Sequence, residues 1–85
     1  MTMDTVINEK VIVGAIFGSG ARLRPAWFHF GGRKVRVDKT NHSWTERQGL
    51  ETLYHFSVTG YGDVYHLVFS SEDLTWHLET VHCAP

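Results

Sequence analysis

Apolar residues in this chain recur at alternate positions or in short runs. No window of eleven or more residues places them at the i, i+3, i+4, i+7 spacing of an amphipathic helix. The pattern predicts strands. Segments 50–58 and 64–69 are rich in aromatic and β-branched residues and are bounded by Gly60, Gly62 and the Ser70-Ser71-Glu72-Asp73 cluster. Segments 25–30 and 33–38 flank Gly31-Gly32, a pair suited to the positive φ angles of a tight hairpin turn. Segment 75–82 supplies the last strand and 11–17 the first, with Gly14 marking a bulge or a close backbone approach. Segment 40–49 reads as one long irregular connection with room for a short helical turn, and Trp44 is expected to tuck beneath it. The fold predicted is all-β: a six-stranded antiparallel meander forming a small, partly open barrel or two-layer sandwich of SH3-like or OB-like size.

Hairpin register assigns the faces. A two-residue turn at Gly31-Gly32 pairs Phe30 with Arg33, His29 with Lys34, Phe28 with Val35, Trp27 with Arg36 and Ala26 with Val37. Because side chains alternate, Ala26, Phe28, Val35 and Val37 share a core face, while Trp27, His29, Lys34 and Arg36 share an outer one. Trp27 is expected to stack on the Arg36 guanidinium, a contact of about 0.5–1 kcal/mol at an exposed site. The turns at Tyr61-Gly62 and at 71–74 give one apolar face of Tyr54, Phe56, Val58, Tyr65, Leu67, Phe69, Trp76 and Leu78. The opposite face carries His55, Ser57, His66, Val68, His77 and Glu79.

Composition bounds the molecule further. With 85 residues, 42% of them hydrophobic, the chain is expected to be a single domain spanning 1–85, ordered over about 6–82 and frayed at 1–5 and 83–85. It has no apolar stretch near the ~20 residues of a membrane span and no signal-like N-terminus, so a cytoplasmic location is expected. A single cysteine, Cys83, excludes an internal disulfide. The net charge of −1 conceals a segregation. Between Arg22 and Lys39 six cations stand against Asp38 alone, giving +5, whereas from Glu46 onward Arg47 stands alone against six acids, giving −5.

The basic segment carries the candidate chemistry. Trp27, His29, Arg33, Lys34 and Arg36, with Arg22 and Arg24 on a bordering loop, combine cations that can track phosphates with a ring on which a base can stack. Among the acidic strands, His55, His66 and His77 fall at equal intervals and His66 sits opposite Glu79 in the regular register, which makes these four the residues to weigh as metal ligands. His55 and His77 stand two strands apart, roughly 9–10 Å, too far to share an ion, so solvated histidines and no metal are expected. No nucleophile–base order is enforced by spacing, and Gly18-Ser19-Gly20 lacks the lysine and helix of a phosphate loop. No enzymatic activity and no cofactor are expected.

From Arg24 to Leu78 the residues Arg24-Pro25, Phe28, Gly32-Arg33, Val35, Val37, Trp44, Tyr65-His66-Leu67 and Trp76-His77-Leu78 follow a recognisable order. In that order the chain resembles a small bacterial all-β domain that also occurs C-terminal to polymerase-like proteins of the ImuB type, relatives of the Y-family DNA polymerases. The resemblance implies an all-β fold and carries no catalytic residues. The expectation for function, drawn from the basic and aromatic hairpin face, is a non-catalytic β module that binds nucleic acid, single-stranded in particular, or another polyanion. The alternative is a protein-interaction module, self-associating through its oppositely charged parts or pairing a free strand edge with a second chain.

Overall fold

The computed structural model describes residues 3–17 and 23–83. Eight strands follow one another: β1 (Met3–Val11), β2 (Val13–Phe17), β3 (Leu23–Phe30), β4 (Arg33–Arg36), β5 (Lys39–Gln48), β6 (Glu51–Gly60), β7 (Asp63–Ser70) and β8 (Thr75–Cys83). They form two antiparallel sheets, one ordered β1-β8-β7-β6-β5 and the other β2-β3-β4, and these do not close into a barrel. Among the described residues no helix is long and apolar enough to cross a membrane.

The chain changes sheet twice. At Ile12, between β1 and β2, the backbone carbonyl accepts from His29 N–H at 2.9 Å. At Val37-Asp38, between β4 and β5, Val37 N–H donates to the Ala26 carbonyl and Asp38 N–H to the Thr59 carbonyl, at 2.9 and 2.8 Å. Backbone hydrogen bonds thus tie each corner down where a strand leaves one sheet for the other. Gly60 makes the second corner possible, because a Cβ there would lie 2.8 Å from the Arg36 carbonyl oxygen.

Three hairpins have the predicted registers next to their turns. Gly31 and Gly32 have φ of +62° and +77°, and the rungs Phe30–Arg33, His29–Lys34, Phe28–Val35 and Trp27–Arg36 follow. Across β6, β7 and β8 the rungs Val58–Tyr65, Phe56–Leu67, Tyr54–Phe69, Leu67–Leu78 and Phe69–Trp76 form as expected. Phe56, Val58, Tyr65, Leu67, Trp76 and Leu78 are buried in the core with Phe28 and Val35 from the small sheet, and Tyr54 and Phe69 pack at its margin.

The strand count corrects the six expected. Segment 40–49 is not an irregular loop: β5 runs through most of it, with no helical turn. It is an edge strand exposed along all ten residues, so no apolar row is required of it and its sequence shows none. Its ladder to β6 holds it in place. Within the segments expected to fray, Met3 and Cys83 are ladder partners in β1 and β8, while residues 1–2 and 84–85 lie outside the described residues. β1 lacked a clear alternation because a register shift between Val6 and Glu9, with Asn8 at φ +50°, breaks it. A second shift, opposite Gly14 and Ala15, makes Ala26 the extra residue of a bulge. Pro25 and Leu23, instead of Ala26, therefore continue the inward row of β3.

Candidate functional site

The outer face of the small sheet is built around Trp27. Gly14 on β2 stands opposite it, and a Cβ there would fall 2.1 Å from the indole, so the ring lies over bare backbone. The prediction of a bulge or close approach at Gly14 is met in both senses. The expected stacking partner differs. Lys34, not Arg36, covers the ring, with Nζ 4.8 Å from its centroid, and His29 lies 5.2 Å away. Both cations share this face, and Lys34, diagonal to Trp27, has the longer and more flexible stem.

Arg24 lies on β3 opposite Ile16, not on a bordering loop, and the bulge brings it to the same outer face as Trp27. Arg33 parts company with the group. It occupies the alternate face at the hairpin tip, where its Cζ sits 4.6 Å over the Tyr61 ring. Arg22 lies outside the described residues, as does Gly18-Ser19-Gly20. Lys39, at the start of β5, joins the face through the corner at Val37-Asp38. A groove of about 690 Å³ runs there, lined by Arg24, Trp27, Lys34, Arg36, Asp38 and Lys39 among others. None of these four cations forms an ion pair with a carboxylate among the described residues.

The outer face of the large sheet holds a second constellation. His55 and Val68 face away from the main core, yet they are only 7% and 4% exposed. Trp44 explains part of this: paired with His55 across β5 and β6, it stacks on the imidazole at 4.9 Å and 6°. It does not tuck under a loop and remains 41% exposed. Four adjacent strands then contribute a row of polar side chains. Glu46 on β5 accepts from His55 Nε2 at 3.0 Å, His55 Nδ1 meets His66 Nε2 at 2.9 Å, and His66 Nδ1 lies 3.6 Å from Glu79 Oε1. A carboxylate only accepts, so His55 carries its proton on Nε2 and, when neutral, accepts at Nδ1 from His66. Burial pushes the His66 pKa below the usual histidine value; Glu79 works in the opposite direction and His55 in the same one.

Of the four histidine-face residues weighed from sequence, His55, His66 and Glu79 come together, with one potential ligand atom from each within 4.8 Å of the others. His77 does not join them. It pairs with Val68, which separates it from His55 on the same rung. The register around Glu79 departs from expectation, since His66 pairs with Thr80 and Glu79 is the extra residue of a bulge on β8. Glu46 and Trp44 were missed, because both lie on the strand read as a loop. A period-two placement of Trp44, His42 and Glu46 on one face was the available signal.

Fold and surfaces together define a small all-β, two-sheet protein with a basic aromatic face on one sheet and a histidine–carboxylate row on the other. No family model, curated protein or solved structure matches the chain.

Proposed function

We propose that this chain is a non-catalytic binding module for polyanions, single-stranded nucleic acid above all, and that it binds through the outer face of β3 and β4. One observation carries the reading. Arg24, Lys34, Arg36 and Lys39 border a common groove around Trp27, and none has a carboxylate partner among the described residues. Unpaired cations bind phosphates without first breaking an internal ion pair, and an indole supplies a stacking surface that tolerates any base. Lys34 covers Trp27 in the free chain, so a stacking base displaces a flexible ammonium stem and recruits its charge to a phosphate.

Titration of a fluorescently labelled single-stranded oligonucleotide at several salt concentrations tests this. Contacts to three or four phosphates give a log–log salt slope of about −2 to −3. The double variant Lys34→Glu, Arg36→Glu should lose at least tenfold in affinity, on the order of 1.4 kcal/mol. Absence of binding at low salt, or a double variant that binds unchanged, overturns the reading.

A protein-interaction role is favoured by a different observation. Phe17 and Leu74, 71% and 73% exposed, border a cleft of about 460 Å³ with Leu23, Tyr54, Phe69 and Trp44, beside the open edge of β5. Exposed apolar clusters of this kind mark contact surfaces. A molar mass that rises with concentration in light scattering, and falls back in Phe17→Ser, supports self-association. A constant monomer mass removes that form of the reading.

A further inference from the structure

We propose that His55, His66 and Glu79 form a binding site for a divalent transition-metal ion of the zinc type, on the outer face of the large sheet. The site is independent of the basic hairpin face, which belongs to the other sheet.

Three features of the row fit a ligand set. The first is lone-pair direction. With Glu46 accepting from Nε2–H, the lone pair of His55 Nδ1 is turned toward His66, whose Nε2 lies 2.9 Å away. Two nitrogens bound tetrahedrally at 2.0–2.1 Å stand about 3.3 Å apart, so an ion entering between them needs the rings to separate by only about 0.4 Å. When it enters, the His66 proton passes through solvent from Nε2 to Nδ1, the nitrogen facing Glu79, so both imidazoles bind in the neutral form.

The second feature is the surrounding shell. A metal-binding histidine commonly donates its other N–H to a carboxylate, which fixes the tautomer and strengthens the ligand. Glu46 is that partner for His55. Trp44 adds a stacked wall, 4.9 Å from His55 and 5.3 Å from His66, that restrains both rings.

The third is the bulge. As the extra residue on β8, Glu79 stands on the outer face beside Thr80 and reaches the histidine pair with a carboxylate that is 40% exposed. Bulges serve to re-aim a side chain in this way. A half-exposed third ligand leaves a route in from solvent and room for water at the fourth position.

The test uses the full chain freed of metal with a chelator, titrated with zinc by calorimetry and with cobalt(II) by visible absorption. The expected result is one ion per chain, with the d–d bands of a tetrahedral or five-coordinate cobalt site. Cobalt should also quench part of the tryptophan emission, because Trp44 lies against the ligands. His66→Ala should abolish the calorimetric heat and the quenching, while His77→Ala, on the same face but outside the cluster, leaves both unchanged. Glu46→Gln should weaken zinc about 10–100-fold without changing the stoichiometry. His55 is buried and its loss risks the fold, so the decision rests on His66→Ala and Glu79→Gln, whose folding circular dichroism confirms. No heat with wild-type protein, or zinc binding that survives His66→Ala, overturns the proposal and leaves the row a hydrogen-bonded histidine pair.

Discussion

Trp27 shows how far a single residue can be read from sequence. Its face and its cross-strand neighbour followed from the Gly31-Gly32 turn, because a two-residue turn fixes register and register fixes side. Which cation covers the ring did not follow, since Lys34 and Arg36 are both within reach and their stems choose among rotamers by local packing. The seat under the ring gives a direct expectation. In Gly14→Ala the new methyl would meet the indole at 2.1 Å. The obstacle is a side chain that can turn, so the cost should fall near the lower end of the about 1–3 kcal/mol typical of overpacking. A shifted tryptophan emission maximum should accompany the lowered urea midpoint. Tyr65 gives a pH-dependent expectation. Burial pushes its phenol above the usual 10.0, Asp63 adds to this and Arg33 opposes it. Well below pH 10.0 the phenol is neutral in folded and unfolded chains alike. As pH rises further the unfolded chain ionises first, so stability is lost until the folded value is passed. Urea midpoints measured across this range should fall for the wild type and fall less steeply for Tyr65→Phe.

Among the elements, β5 is the one that sequence concealed. Strands with one buried face announce themselves by alternation, as β6 and β7 do. A strand exposed on both faces needs none, and Lys39–Gln48 forms because its backbone completes a ladder to β6. Its side-chain anchoring comes from Trp44 on His55 and Glu46 on His55. Amide hydrogen exchange should therefore rank the ladder-bonded amides of β5 well below those of the central β7. Trp44→Ala should speed exchange in β5 while leaving β7 protected, with a loss of about 1 kcal/mol in global stability. Equal protection of β5 and β7 in the wild type would show that the edge strand opens only with the whole fold. The candidate metal ligands shared this concealment. His55 and His66 were visible on one sheet face, but the carboxylate behind His55 and the indole stacked on it depend on β5 being a strand.

At the scale of the molecule, two sheets share one core through two bent corners, and Gly60 shows what joins them. A side chain there would press on the Arg36 carbonyl at 2.8 Å, a backbone atom that cannot rotate aside. Gly60→Val should accordingly cost more than Gly14→Ala, about 3 kcal/mol or more, read as a larger fall in the urea midpoint. The same corner brings Lys39 beside Arg24, Lys34 and Arg36, so the basic groove is a product of how the sheets meet. Sequence by itself determined the all-β class, the registers of three hairpins next to their turns, the principal apolar face and the separation of positive from negative segments. These are local properties, set by alternation, turn chemistry and charge order. Tertiary structure alone decided the rest: where a strand leaves one sheet for the other, which residues the bulges at Ala26 and Glu79 displace, and that β5 lies along β6. Bulges and edge strands leave little trace in periodicity, because what stabilises them is a backbone partner distant in the chain. For that reason Arg24, Lys34 and Arg36 were foreseeable beside Trp27, and His55, His66 and Glu79 on one face, whereas the places of Lys39 in the groove and of Glu46 behind His55 became visible only when the strands stood side by side.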